Sequence, residues 1–135
     1  MMEQAQQNGA PIFWEDLEIS SPNSAGGKKI SWNWHNVSNK TIKYASFSFK
    51  YFNAVGDLTF CEYGAGSSVR QTGPIKPGSR ESRRFTDLCY ETDATCGELQ
   101  SATIEFMDES SISLSKEEIL KMDAIDTSDK CDSEY

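Results

Sequence analysis

Histidine occurs once in this 135-residue chain, at position 35. Any serine–histidine–aspartate or cysteine–histidine mechanism must therefore use His35 as its base. That residue falls on the polar side of an alternating run, where solvent exposure accounts for it, and the sequence is read as non-enzymatic. Basic residues are also short: 13 Lys and Arg stand against 21 Asp and Glu, a formal net charge of −8. Neutralising a phosphate backbone needs cations, so nucleic acid is not expected as a partner. Cysteine is limited to Cys61, Cys89, Cys96 and Cys131, with no pair in CxxC spacing, which argues against zinc. No stretch approaches the ~18 apolar residues of a membrane-spanning helix. The opening MMEQAQQNGAP has neither the basic nor the apolar region of a secretory signal. The expectation is a soluble chain with no cofactor and no membrane span.

What the chain does have is aromatic side chains: seven Phe, five Tyr and three Trp, all between Phe13 and Phe106 except Tyr135. Each ring removes about 150–250 Å² from water when buried, so a single core can be built chiefly from rings. The length suits one domain. The acids are unevenly placed, with nine of them against three lysines from Asp108 to Tyr135, a net −6 for that segment. The expected organisation is a mobile N-terminal arm at 1–11, a β-sandwich at 12–114, and a short helix with an acidic tail at 115–135.

Period-2 alternation carries the strand assignments. In KISWNWHN, Ile30, Trp32 and Trp34 share one face, while Ser31, Asn33 and His35 share the other. In TIKYASFSFKYF, Ala45, Phe47, Phe49 and Tyr51 line one face, and Ile42 and Tyr44 point away from it. IFWEDLEIS, LTFCE, VRQT, SRRFTDLCY, LQSATIEFMD and SISL complete seven or eight short strands. Leu99 joins Ala102, Ile104 and Phe106 on the inner face only if a bulge slips the register. NAVGD supplies a turn in which Gly56 is free to take a positive φ. GPIKPGS and ETDATCGE read as connections, the first kept out of any central strand by its prolines. Ser115 followed by Glu118 forms the two halves of a capping box. The chain is thus expected to be all-β, an antiparallel β-sandwich with a short C-terminal helix or a disordered acidic tail.

The order NVSNKTIKY, an aromatic strand, YFNAVGD, and then TGPIKPG before a strand containing Phe85 resembles small immunoglobulin-like domains of bacterial envelope proteins, of the FxLYD-like and related kinds. The resemblance spans Leu17 to Leu114. It implies an immunoglobulin-like topology, a cell-envelope or extracellular location, and a binding or accessory role whose ligand it does not name. If no leader is removed from the chain, a cytoplasmic location is the alternative. The alternative function is an acidic inhibitor or immunity-type protein that masks a basic partner, with long-range charge speeding association.

Several residues invite a site. Cys89 and Cys96 are spaced to close a short loop by a disulfide, although buried reduced thiols fit the sequence equally well. Arg80, Arg83 and Arg84, with Arg70 and Lys76 nearby in sequence, form a basic cluster suited to an acidic protein partner or a carboxylate. The same charges also guard an edge strand against pairing. Asp123, Asp126, Asp129 and Asp132 recur every third residue, but they lack the alternating ligands and the glycine of a calcium loop and read as a solvated tail. NVS and NKT are N-glycosylation sequons at Asn36 and Asn39. Their Asn and Ser residues also suit a tight turn, because such side chains bond back to the local backbone, and with a strand on each side the stretch is read as a hairpin.

Overall fold

The computed structural model describes residues 2–20, 24, 27–59, 68–90 and 94–125, with backbone alone for Asp16, Gly27 and 85–90. Ten elements follow in order: α1 (Met2–Gln7), β1 (Ile12–Ile19), β2 (Gly27–Asn36), β3 (Ile42–Asn53), β4 (Leu58–Thr59), β5 (Ser68–Ile75), β6 (Arg80–Tyr90), β7 (Ala94–Phe106), β8 (Ser111–Leu114) and α2 (Lys116–Lys121). The strands make two antiparallel sheets. Sheet A runs β1-β2-β6, and sheet B runs β4-β3-β7-β8 with β5 also paired to β3. The outer edge of β3 is thus shared, β5 taking Ile42 to Ser48 and β4 taking Tyr51 and Phe52.

Alternation decides the core. Ile30, Trp32 and Trp34 of β2 are buried and face Ala45, Phe47, Phe49 and Tyr51 of β3 across the sandwich. Trp14 joins them from β1, with ring centroids 4.9 Å from Phe47, 5.5 Å from Phe49 and 5.9 Å from Trp32. Tilted aromatic pairs at these separations add to the burial of their surface. Asn53 shapes the β3–β4 turn by accepting from the amides of Val55 and Asp57 at 3.1 and 2.9 Å, and Gly56 sits at φ 85°. The slip expected at Leu99 is present: Ser48 lies opposite Ser101 and Phe49 opposite Leu99, so Gln100 is the extra residue.

Four local readings are corrected. NVSNK is not a hairpin, because β2 and β3 lie in different sheets and the segment carries the chain from one to the other. Ile42 is in the core, because β3 has one more residue than β7 between Ile42 and Tyr44, which reverses the alternation at Lys43. β5 continues through Gly73 and cis Pro74 as far as Ile75, which is tolerated on the sheet's outer edge. β7 begins at Ala94, inside the expected loop ETDATCGE.

Both ends of the described chain pack on the sandwich. The N-terminal stretch read as an arm carries α1, with Ala5 buried in the core. At the other end Ser115 and Glu118 form the capping box, and α2 then buries Ile119. The amide of Trp14 donates to the Ala124 carbonyl at 2.7 Å, and Ile125 bridges Trp14 in parallel, so this segment covers part of the β1 edge. Asp126 and the acids beyond it lie outside the described residues.

Candidate binding face of the three-stranded sheet

Every second residue of sheet A faces outward, and strand register sorts those side chains into rows. Phe13, His35 and Arg80 form the first row, in which Phe13 is buried, His35 half-buried and Arg80 exposed; Glu15, Asn33 and Ser82 form the second, and Glu18, Ser31 and Arg84 the third. The Arg80 Nε donates across the rows to Glu15 Oε2 at 3.4 Å. The His35 Nε2 lies 3.2 Å from Glu15 Oε1 but off the line of a hydrogen bond, and its ring packs against Phe13 at 6.1 Å. The Arg80–Glu15 pair is solvent-exposed and contributes at most about 1 kcal/mol, so it sets side-chain orientation more than stability. In the second row Ser82 Oγ donates to Asn33 Oδ1 at 2.6 Å.

The basic cluster expected from sequence is divided by the strand. Arg80 and Arg84 lie on the outer face, whereas Arg83 points to the other side of β6 and is half-buried. Arg70 is on sheet B, its guanidinium 3.7 Å above the Tyr44 ring, and Lys76 sits in the β5–β6 turn. His35 is held among Phe13, Glu15 and the β2–β3 segment and is not joined to a serine or cysteine by any hydrogen bond among the described residues. Cys96 is disulfide-bonded. The side chain of Cys89 and the whole of Cys61 and Cys131 lie outside the described residues.

Sequence reasoning passed over Gln71, a buried polar residue on an edge strand. Its Oε1 accepts from Trp34 Nε1 at 3.0 Å, and its Nε2 donates to Glu81 Oε1 at 2.8 Å. This relay runs from β2 to β5 to β6 and ties the two sheets together where backbone pairing does not. The only signal available was a glutamine in phase with Val69 on the inner side of VRQT.

The two sequons are in opposite situations. Asn36 is fully buried, its Nδ2 donating to the carbonyls of Lys40 at 2.9 Å and Ile75 at 3.0 Å. Its Oδ1 accepts from the Ser38 amide and hydroxyl at 3.0 and 2.6 Å. Asn39 is exposed and lines two open clefts beside α1. Nearby, Asp108 accepts from the Ser110 hydroxyl and from Lys40 at 2.9 Å, and these partners hold its carboxyl well below the usual carboxylate range. The group is exposed, so its role is local to the β7–β8 turn. Set against protein-family models and curated proteins, the chain matches neither.

Proposed function

We propose that the protein is a non-catalytic binding module, an immunoglobulin-like β-sandwich belonging to a bacterial envelope or secreted protein, which engages a protein partner or surface ligand through the outer face of sheet A. The observation that carries the binding reading is that face itself. Its three rows place Glu15 and Glu18 along β1, neutral Ser31 and Asn33 along β2, and Arg80 and Arg84 along β6, an ordered surface of hydrogen-bonding groups. The strand order supports the immunoglobulin-like assignment, since β1, β2 and β6 stand where strands A, B and E stand in that fold, and β3, β7 and β8 where C, F and G do. The disulfide at Cys96 favours an oxidising compartment over the cytosolic inhibitor reading.

The test is zero-length cross-linking of the protein in extracts of its source, read by mass spectrometry. Cross-links through Glu15, Glu18 or Lys29 support the reading. Cross-links confined to Lys43, Lys50 and Glu105 on sheet B would refute it. Thiol mapping of protein from the same source, without reduction, tests the location separately: a free Cys96 thiol refutes the exported assignment.

A further inference from the structure

The third row of sheet A opens into a concavity whose two cations form no ion pair among the described residues. Lys29 and Arg84 line a cleft of about 450 Å³ together with Glu18, Ser20, Ser31 and Cys96. Strand register builds it: Glu18 pairs with Ser31 and Ser31 with Arg84. One step further along, the Ser20 amide donates to the Lys29 carbonyl at 2.9 Å and the Lys29 amide to Ser20 Oγ at 2.8 Å. Lys29 and Ser31 are two apart on β2 and therefore share the outer face.

Five other cations of the described structure are already engaged, while Lys50, Lys76 and Lys121 stand apart from one another and from this cleft. Lys40, Lys43, Arg80 and Lys116 pair with Asp108, Glu109, Glu15 and Glu98, and Arg70 covers Tyr44. Lys29 and Arg84 are exposed and make no ion pair among the described residues. Among the described lining residues, two cations and one carboxylate give a net charge of +1 on a chain of net −8. An anion entering between them relieves their mutual repulsion. Glu18 in the wall disfavours a dianion such as phosphate, and a guanidinium fork beside a hydroxyl suits a single carboxylate.

We propose that this cleft receives an aspartate or glutamate side chain from an extended acidic segment of a protein partner, with Arg84 as the anchoring group. The inference rests on the binding-module reading above and names the partner's chemistry. The geometry extends beyond one contact. Arg80 and Arg84 face the same way four residues apart on β6, about 13 Å at a strand's rise, and acids spaced four apart in an extended segment have the same separation. The Arg80 contact with Glu15 is solvent-exposed and weak enough to be exchanged for such a ligand.

The experiment is an NMR titration of the isotopically labelled full chain with hexaglutamate, at about 20 mM and about 300 mM salt, concentrations that bracket strong and weak screening. The expected result is saturable shifts centred on the amides of Lys29, Ser31, Arg84 and Thr95. Affinity should fall at least about tenfold in the higher salt, and be lost in Arg84→Ala and Lys29→Ala but kept in Lys121→Ala. Both cleft side chains are exposed, so these variants should retain the unfolding midpoint of the parent. Shifts spread evenly over Lys50, Lys76 and Lys121, or unchanged affinity in Arg84→Ala, would overturn the proposal. Equal shifts with inorganic phosphate would overturn the carboxylate assignment. Hexaglutamate binding by a protein whose native Cys96 is a free thiol would sink the exported location and leave the cleft standing. A native bridge without peptide binding would do the reverse.

Discussion

Replacing Asn36 with alanine removes four side-chain hydrogen bonds at the point where β2 leaves sheet A. Its Nδ2 holds the carbonyls of Lys40 and Ile75, and its Oδ1 holds the Ser38 amide and hydroxyl. The Ser38 and Lys40 groups reach solvent and water can replace Asn36 there, so those bonds count at the low end, about 0.5 kcal/mol each. The bond to Ile75 is buried, and removing a donor from a buried carbonyl costs about 1–3 kcal/mol. The expected loss is therefore about 3 kcal/mol, a large share of the ~5–15 kcal/mol that stabilises a typical domain. In urea, with m near 2 kcal/mol/M, the midpoint should fall by about 1.5 M while m stays unchanged. Tryptophan fluorescence reads the transition, because Trp14, Trp32 and Trp34 are all core residues. Asn36→Asp adds a second reading. It keeps the acceptors but sets a buried carboxylate against two carbonyls, which raises its pKa in the folded state above the unfolded value. The variant should then be closest to the parent at pH below about 4 and lose stability as pH rises. Exposed Asn39→Ala should change stability by less than about 0.5 kcal/mol. A loss below about 1 kcal/mol in Asn36→Ala, or an equal loss in Asn39→Ala, would refute the weight given to the buried Asn36 bond to the Ile75 carbonyl.

Other substitutions probe separate parts of the structure. A Cβ at Gly97 would lie 2.4 Å from Leu17 Cδ2, so Gly97→Ala should destabilise by about 1–3 kcal/mol in urea melts, with recovery on adding Leu17→Ala to the same chain. Gln71→Leu removes the acceptor of Trp34 Nε1 and the donor to Glu81; the expected loss is about 1–3 kcal/mol, seen with a shift of the Trp34 indole proton in NMR spectra. Carbon-detected titration should find Asp108 still ionised near pH 3, where ordinary carboxylates are taking up protons, and Lys40→Ala should move its titration upward. Its contribution to folding is present above the unfolded pKa, is lost as pH falls through the lowered folded value, and is small because the group is exposed. Reducing the disulfide at Cys96 should lower stability by about 2–5 kcal/mol, measured by melting with and without a phosphine reductant.

The fold was legible wherever alternation was uninterrupted. SWNWH announces its buried face because three large apolar residues recur at every second position, and β2 places them there. Alternation identifies a face but not a sheet, and that is why NVSNK read as a hairpin. The residues that make a tight turn, Asn and Ser bonding to nearby backbone, are the same ones that let a chain cross between sheets. Ile42 shows the other limit. A single extra residue reverses the face of everything before it, and nothing in TIKYAS marks where β3 gains that residue relative to β7. The burial of Ala5 was hidden in a Gln-rich segment, because one small residue docking into a core leaves no periodic trace.

The candidate binding face was half legible for a related reason. Arg80, Arg83 and Arg84 are neighbours in sequence, so composition groups them, yet a strand sends adjacent residues to opposite sides and keeps only Arg80 and Arg84 together. Their companions come from strands distant in sequence. Ser31 reaches Arg84 only through the β2–β6 register, and Glu18 reaches Ser31 only through the β1–β2 register, which a bulge between Glu15 and Leu17 has shifted. Lys29 lines the same cleft as Arg84 for the same reason, although fifty-five positions separate them. A cleft assembled from three strands is a property of register, and register is fixed by which faces are buried. The tryptophans that fill the core therefore also decide which cations meet on the opposite side of the sheet. A substitution that slips β2 by one residue should abolish hexaglutamate binding with both Lys29 and Arg84 still present.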